Sequence, residues 1–173
     1  ENSETGGDPL RHSEPLCADG NGAMFHALNR GKRSVALPFR DAGTPAKIQK
    51  LLADVDVLVE SFRPGTLETL LGLSGAEELL EPHPHLVLAR LSGYGAGPDG
   101  GSGGSGGSGD PPPVGHDLNF CANAGVLDMA AVRGWPPPMQ FADFAGGAWP
   151  TALQIVAALY HRDASRAALA ALE

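Results

Sequence analysis

Basic residues are scarce in this chain: 12 lysines and arginines stand against 20 aspartates and glutamates, for a formal charge of −8. A surface with so little positive charge cannot neutralise a track of phosphates, which excludes a general nucleic-acid binder. Cysteine is scarcer still. Cys17 and Cys121 are the two present, far apart and without paired spacing, so neither a disulfide framework nor a zinc site is expected and a reducing compartment is the simplest reading. His83 and His85 flank Pro84 without any cysteine or HExxH-like companion, and they read as a turn before a strand, so no metal is expected. Long apolar runs are missing too. The longest, from Trp149 to Tyr160, is too short to span a bilayer, and the polar, acidic start from Glu1 to Asp8 is no secretory signal. The expectation is a soluble, cytoplasmic protein without a membrane partner.

What is there suits one globular domain with a real core, since 42% of 173 residues are apolar. The few cations are unevenly spread. Arg30, Lys32, Arg33 and Arg40 fall within one short stretch, which reads either as a local anion site or as a solvated turn.

Residues 1 to 28 lack sustained periodicity and read mostly as loop. Ser34 to Phe39 reads as a short buried strand, with Pro38 near its end where a missing N–H matters least. A helix follows, with Thr44 as N-cap, Pro45 at the first helical position, and Ile48, Leu51, Leu52 and Val55 on one face. The run Val57-Leu58-Val59 has the pattern of a parallel strand covered on both faces. It leads into Ser61-Phe62-Arg63-Pro64-Gly65, which places Arg63 beyond a strand's carboxyl end, where open parallel sheets bind ligands. Thr66 to Leu73 and Ser74 to Leu80 read as two short helices. His85 to Leu91 is a second buried strand, ending in Ser92-Gly93-Tyr94-Gly95, whose glycines permit close approach of backbone to a ligand. Alternating strands and helices make an α/β fold with an open parallel sheet the expected class.

Residues 100 to 113 are a Gly-Ser repeat running into prolines, a linker or insertion by composition. Beyond it, His116 to Met129 has helical spacing, with His116 at the start, where the partial positive charge of a helix N-terminus disfavours the imidazolium and leaves a neutral ring able to accept a proton. Trp135 to Pro138 forces a turn. Asp143 opens a last helix over roughly Phe144 to Arg162, and Gly146 and Gly147 in its first turn suggest close packing against a ligand or another backbone. A histidine and a carboxylate at two helix starts could face one small space. They could equally be a partly buried histidine and an ordinary N-cap, and spacing alone does not separate the two readings.

Five stretches in order resemble the family III CoA-transferases (the CaiB/BaiF family). Residues Leu28 to Ser34, Asp56 to Gly65 and Ala89 to Gly95 are similar to successive motifs of that family. Gly115-His116-Asp117-Leu118-Asn119-Phe120 and Ala142-Asp143-Phe144-Ala145-Gly146-Gly147 are similar to the branch that contains α-methylacyl-CoA racemase. The resemblance implies a Rossmann-like α/β large domain, here partial and covering residues 1 to 163, with 164 to 173 a helix-like tail. It also implies an interlocked homodimer and an acyl-CoA thioester as ligand, coenzyme A being part of the substrate and no cofactor being needed. In a eukaryote the compartment would be peroxisomal or mitochondrial, in keeping with fatty-acid metabolism.

Carried over position by position, His116 and Asp143 match the racemase's catalytic pair, and in the transferases the position of Asp143 is the acyl-accepting nucleophile. Ala36, Leu37, Pro38 and Phe39, together with Gly115, Asp117, Leu118 and Asn119, match stretches lining the thioester, while Arg30, Lys32, Arg33 and Arg63 resemble basic residues that bind coenzyme A. Removing an α-proton from a thioester needs a base on one face, an acid on the other and donors for the enolate oxygen. His116 and Asp143 would supply the pair, with Asp143 held protonated by burial away from cations. Three readings follow: 1,1-proton transfer, CoA transfer through Asp143, or a non-catalytic fragment or engineered scaffold.

Overall fold

The computed structural model describes residues 1–95, 114–129 and 139–170. The Gly-Ser stretch at 100–113 and the turn at Trp135 to Pro138 lie outside the described residues. The chain divides into two compact units, Glu1–Gln49 and Lys50–Glu173.

In the first unit, two 3-10 turns, Ser3–Thr5 and Pro9–His12, begin where a side chain caps them: Asn2 Oδ1 accepts from the Glu4 N–H at 3.1 Å and Asp8 Oδ1 from the Leu10 N–H at 2.9 Å. Helix α1, Ala23–Asn29, occupies a stretch expected to be mostly loop. The buried strand expected over Ser34 to Phe39 is not found. One parallel bridge joins Asn2 to Leu37, with the Ser3 N–H donating to the Leu37 carbonyl at 3.0 Å, and Val35 is 47% exposed. A single bridge buries neither face, and Pro38 has no N–H to carry the pairing onward. Thr44 is a member of α2, Thr44–Leu52, rather than its cap: its fully buried hydroxyl donates to the Pro38 carbonyl at 2.6 Å. The helix ends at Leu52, its last three residues already belonging to the second unit, so that of the apolar face expected on it Leu52 is buried, Leu51 is exposed, and Val55 lies beyond the helix and is exposed.

The second unit is built on two parallel strands, β1 (Val57–Glu60) and β2 (Val87–Arg90), in the register Val57 to Val87 through Glu60 to Arg90. Parallel strands need a crossover. Helices α3, Thr66–Leu71, and α4, Ala76–Leu80, supply it, and Leu67, Leu71 and Leu79 from them join Leu86 in the core. Burying each leucine side chain contributes about 1.5–3 kcal/mol. At the strand ends the Arg90 guanidinium pairs with Glu60 at 3.3 Å and with the buried Glu68, tying β1, β2 and α3 together. The expectation of strands covered on both faces is only half met, because Val59 is 55% exposed. An apolar run reports the character of a strand and says nothing of which face a neighbour covers.

After the undescribed segment comes α5, Asp117–Asn123, and then α6, Val126–Met129. The single helix expected over His116 to Met129 is therefore broken in two, at Gly125, whose φ of 75° is left-handed and closes α5 as glycine commonly does. The last helix, α7, spans Trp149–Ala170 without interruption, and Ala142–Ala148 before it form a wider π turn. Arg162 pins α7 to the amino ends of the strands, donating to the His85 carbonyl at 2.7 Å and pairing with Asp56 at 2.9 Å. Along α7, Trp149, Leu153, Val156 and Tyr160 are exposed. The class is α/β.

Candidate active site

Because Arg162 holds the far end of α7 at the strands' amino ends, the π turn at its start comes beside α5. Between them, and past the carboxyl ends of β1 and β2, lies a cavity of about 1030 Å³. Its walls include Ser61 after β1, Ser92 and Gly93 after β2, His116 and Phe120 from α5 and its cap, and Asp143 from the π turn. This is where an open parallel sheet places its ligand. The two residues singled out for acid/base chemistry thus line one space.

His116 caps α5 and is exposed, with its backbone N–H donating to Asn119 Oδ1 at 3.0 Å. Asp143 is also exposed. Its expected burial is not found, because the π turn presents it to the cavity and no described residue lies over it. Gly146 and Gly147 line the same cavity. A Cβ on Gly146 would meet nothing within 4 Å, while one on Gly147 would touch the Ala142 carbonyl oxygen at an ordinary 3.5 Å, so neither glycine is required by a close approach of backbone.

Gly93 and Gly115 are different. A Cβ on Gly93 would strike the Phe120 ring, and one on Gly115 would come within 2.6 Å of the Tyr94 hydroxyl and 2.9 Å of Phe120. Phe120 packs edge to face against Tyr94, with ring centroids 5.2 Å apart. The glycines in these loops make room for the chain's own aromatics, not only for a ligand.

Of the four residues matched to the thioester-lining turn, Gly115 reaches the cavity and the other three do not line it. Asp117 is turned inward and only 8% exposed: its Oδ1 accepts from the Asp143 N–H at 2.9 Å, and the Cys121 thiol donates to its Oδ2 at 3.7 Å. Asn119 is engaged at the cap of α5, and Leu118 is exposed outside the walls. Arg63 stands where the sequence puts it, past β1. It lines a smaller cavity of about 180 Å³ that shares Ser61, Ser92, Gly93, Gly115 and Phe120 with the larger one.

Phe120 and Ser92 were not among the residues singled out as candidates. The signal for Phe120 is its place four residues after His116, one turn along the same face.

In the first unit, Arg30, Lys32 and Arg33 line a separate cavity of about 720 Å³ that Arg11 and Glu1 also enter. Glu1 and Arg11 pair at 2.6 Å, and that bond, helped by the Ser34 hydroxyl, holds the Glu1 carboxyl well below the usual carboxylate range. The wall reaches Val35. Ala36, Leu37, Pro38 and Phe39 lie beyond it, with Leu37 in its bridge to Asn2 and the Pro38 carbonyl taken by Thr44.

The sequence profile of CoA-transferase family III matches residues 1–167. The chain belongs to that family. Among its relatives, this family III chain is 39% identical over 141 residues to an α-methylacyl-CoA racemase of Mus musculus, an alignment covering 80% of the chain and 34% of the relative. It is 33% identical over 168 residues to a succinyl-CoA:mesaconate CoA-transferase of Haloarcula hispanica, covering 91% of the chain and 39% of the relative. The crystal structure of a CaiB/BaiF family protein from Brucella suis superposes with a TM-score of 0.74 at 29% identity, over 95% of this chain and 42% of that one. The chain therefore spans little more than a third of the length of these curated relatives. Racemases and transferases both stand among them.

Proposed function

We propose that this chain carries the acid/base half of a racemase-type site that moves a proton at the α-carbon of a 2-methylacyl-CoA thioester. The observation that carries the reading is that His116 and Asp143, from two different elements, line one cavity at the carboxyl ends of the parallel strands. In the proposed reaction a neutral His116 takes the α-proton from one face of the substrate while the Asp143 carboxylic acid returns a proton to the other, and the roles reverse for the other epimer. The enolate between them needs hydrogen-bond donors at its oxygen. Ser61 and Ser92 carry hydroxyls at the wall, and Arg63 in the adjoining cavity is suited to an anionic portion of the ligand. Coenzyme A enters as part of the substrate, and the proton transfer calls on no metal or redox cofactor. A second copy of the protein is the source proposed for the cover over Asp143.

The deciding experiment is incubation of one pure 2-methylacyl-CoA epimer with the protein in deuterated water. Deuterium uptake at the α-carbon is expected, together with appearance of the second epimer; thioester binding without any exchange overturns the reading.

CoA transfer is kept as a second reading because one specific observation favours it: Asp143 is exposed to the cavity, as a carboxylate that attacks an acyl group must be. Hydroxylamine in the presence of a donor thioester would then trap an acyl adduct on Asp143, and none is expected if the function is proton transfer.

A further inference from the structure

Asp117 is a buried carboxylate that the proposed chemistry does not use. It directly follows His116, lies on α5, and is 26 residues from Asp143 in sequence, yet its Oδ1 accepts from the Asp143 backbone N–H at 2.9 Å. Its other oxygen accepts from the Cys121 thiol one turn along α5, and that thiol is 1% exposed. Both oxygens are thereby spoken for by the protein itself, and Asp117 does not line the cavity. The segment they hold has little intrinsic rigidity. Gly146 and Gly147 within the π turn each lower helix stability relative to alanine, and the described residues leave Asp143 itself exposed. The place of Asp143 is therefore set by what its backbone is tied to.

We propose that Asp117 is a positioning residue for the acid/base pair: by anchoring the Asp143 N–H on the same helix that His116 caps, it fixes the separation of the two reacting side chains. Its carboxylate is taken up by Asp143 and Cys121 and is not part of the cavity wall. The inference rests on the proton-transfer reading for its kinetic consequence, while the anchor itself has a readout that does not need activity.

The test compares the full chain with Asp117→Ala and Asp117→Asn. Alanine removes the acceptor. Asparagine keeps an acceptor oxygen of the same reach without the charge. In Asp117→Ala the Asp143 amide is expected to exchange with solvent about 10- to 100-fold faster, as loss of a hydrogen bond to a charged acceptor implies. The kcat for α-deuterium uptake is expected to fall about 100-fold with KM unchanged, the effect of a small misplacement of a reacting group. Asp117→Asn is expected to recover most of both. A purely structural role would lower the melting temperature without separating kcat from KM and without rescue by asparagine. Unchanged Asp143 exchange in Asp117→Ala overturns the proposal, as does faster exchange with undiminished kcat. Should wild-type protein bind thioester and show no α-exchange, the proton-transfer reading fails, and the Asp143 amide data still decide the anchor. If the alanine variant does not fold, Asp117→Glu displaces the carboxylate by one methylene. Full retention of Asp143 protection and kcat in that variant would sink the idea.

Discussion

The crossover between β1 and β2 and the segment that carries the candidate site are stabilised by different means. In the crossover, Leu67, Leu71, Leu79 and Leu86 are 4%, 6%, 1% and 8% exposed, and the order of the region follows from apolar area removed from water. In the site segment, His116, Asp143 and Phe144 are exposed, and a few directed polar bonds from Asp117, Asn119 and Arg162 set where the backbone lies. Burial is non-directional and tolerates small rearrangement. A hydrogen bond fixes an angle and a distance but contributes only about 0.5–1.5 kcal/mol net. A region can thus be precise without being stable in its own right, and the site segment depends on the strands against which α7 packs.

That contrast can be broken first at the chemistry. His116→Ala and Asp143→Asn are each expected to reduce α-deuterium uptake by about 10²- to 10⁴-fold, with melting temperatures near wild type because both side chains are exposed; stopped-time mass spectrometry of the thioester measures the first and calorimetry the second. The opposite pattern is expected from Leu79→Ala. Leu79 is almost fully buried, so its truncation should cost about 2–5 kcal/mol in urea unfolding, and activity per folded molecule should change little.

A smaller effect concerns acid. The Asp19 carboxyl is lowered from 3.8 to about 2 by hydrogen bonds from the Asn21 side chain and backbone, and then from His26. A carboxyl whose folded value lies below its unfolded one adds stability that is fully present above the unfolded value and lost as pH falls through the folded one. The contribution should therefore vanish between about pH 4 and about pH 2, and Asp19→Asn should flatten an acid titration of stability in that window. The smallest effect is expected at Leu153, 72% exposed on α7, where alanine should change the stability of this chain by less than about 0.5 kcal/mol. A larger loss there would mean that the apolar face of α7 is covered in solution, and sedimentation of the same variant would show whether a second copy covers it.

How much could be read in advance differs by element. The strands at Val57 and Val87 and the helices at Thr66 and Ala76 were legible because short apolar runs and flanking glycines encode local conformation. Ser34 to Phe39 has the same composition as a strand, yet Ser34, Val35 and Ala36 are exposed and Leu37 to Phe39 only half-buried, because a strand is completed by neighbours that composition does not name. The break at Gly125 was hidden by apolar spacing that continues across it, since one left-handed residue redirects a helix without disturbing the pattern on either side.

At the site, the sequence by itself determined the inventory: a histidine at a helix start, an aspartate and two glycines before a long helix, an arginine past a strand, and motifs specific enough to mark family III. It could not determine that Asp117 faces inward while its neighbour His116 faces a cavity, or that Asp143 stands exposed in a π turn. His116 is the extended cap of α5 and Asp117 its first helical residue, so which of them meets the ligand depends on how α5 is rotated against the start of α7. Only the packing of the second unit decides that, because the bonds that fix the rotation join residues far apart in the chain, Asp117 to Asp143 and His85 to Arg162.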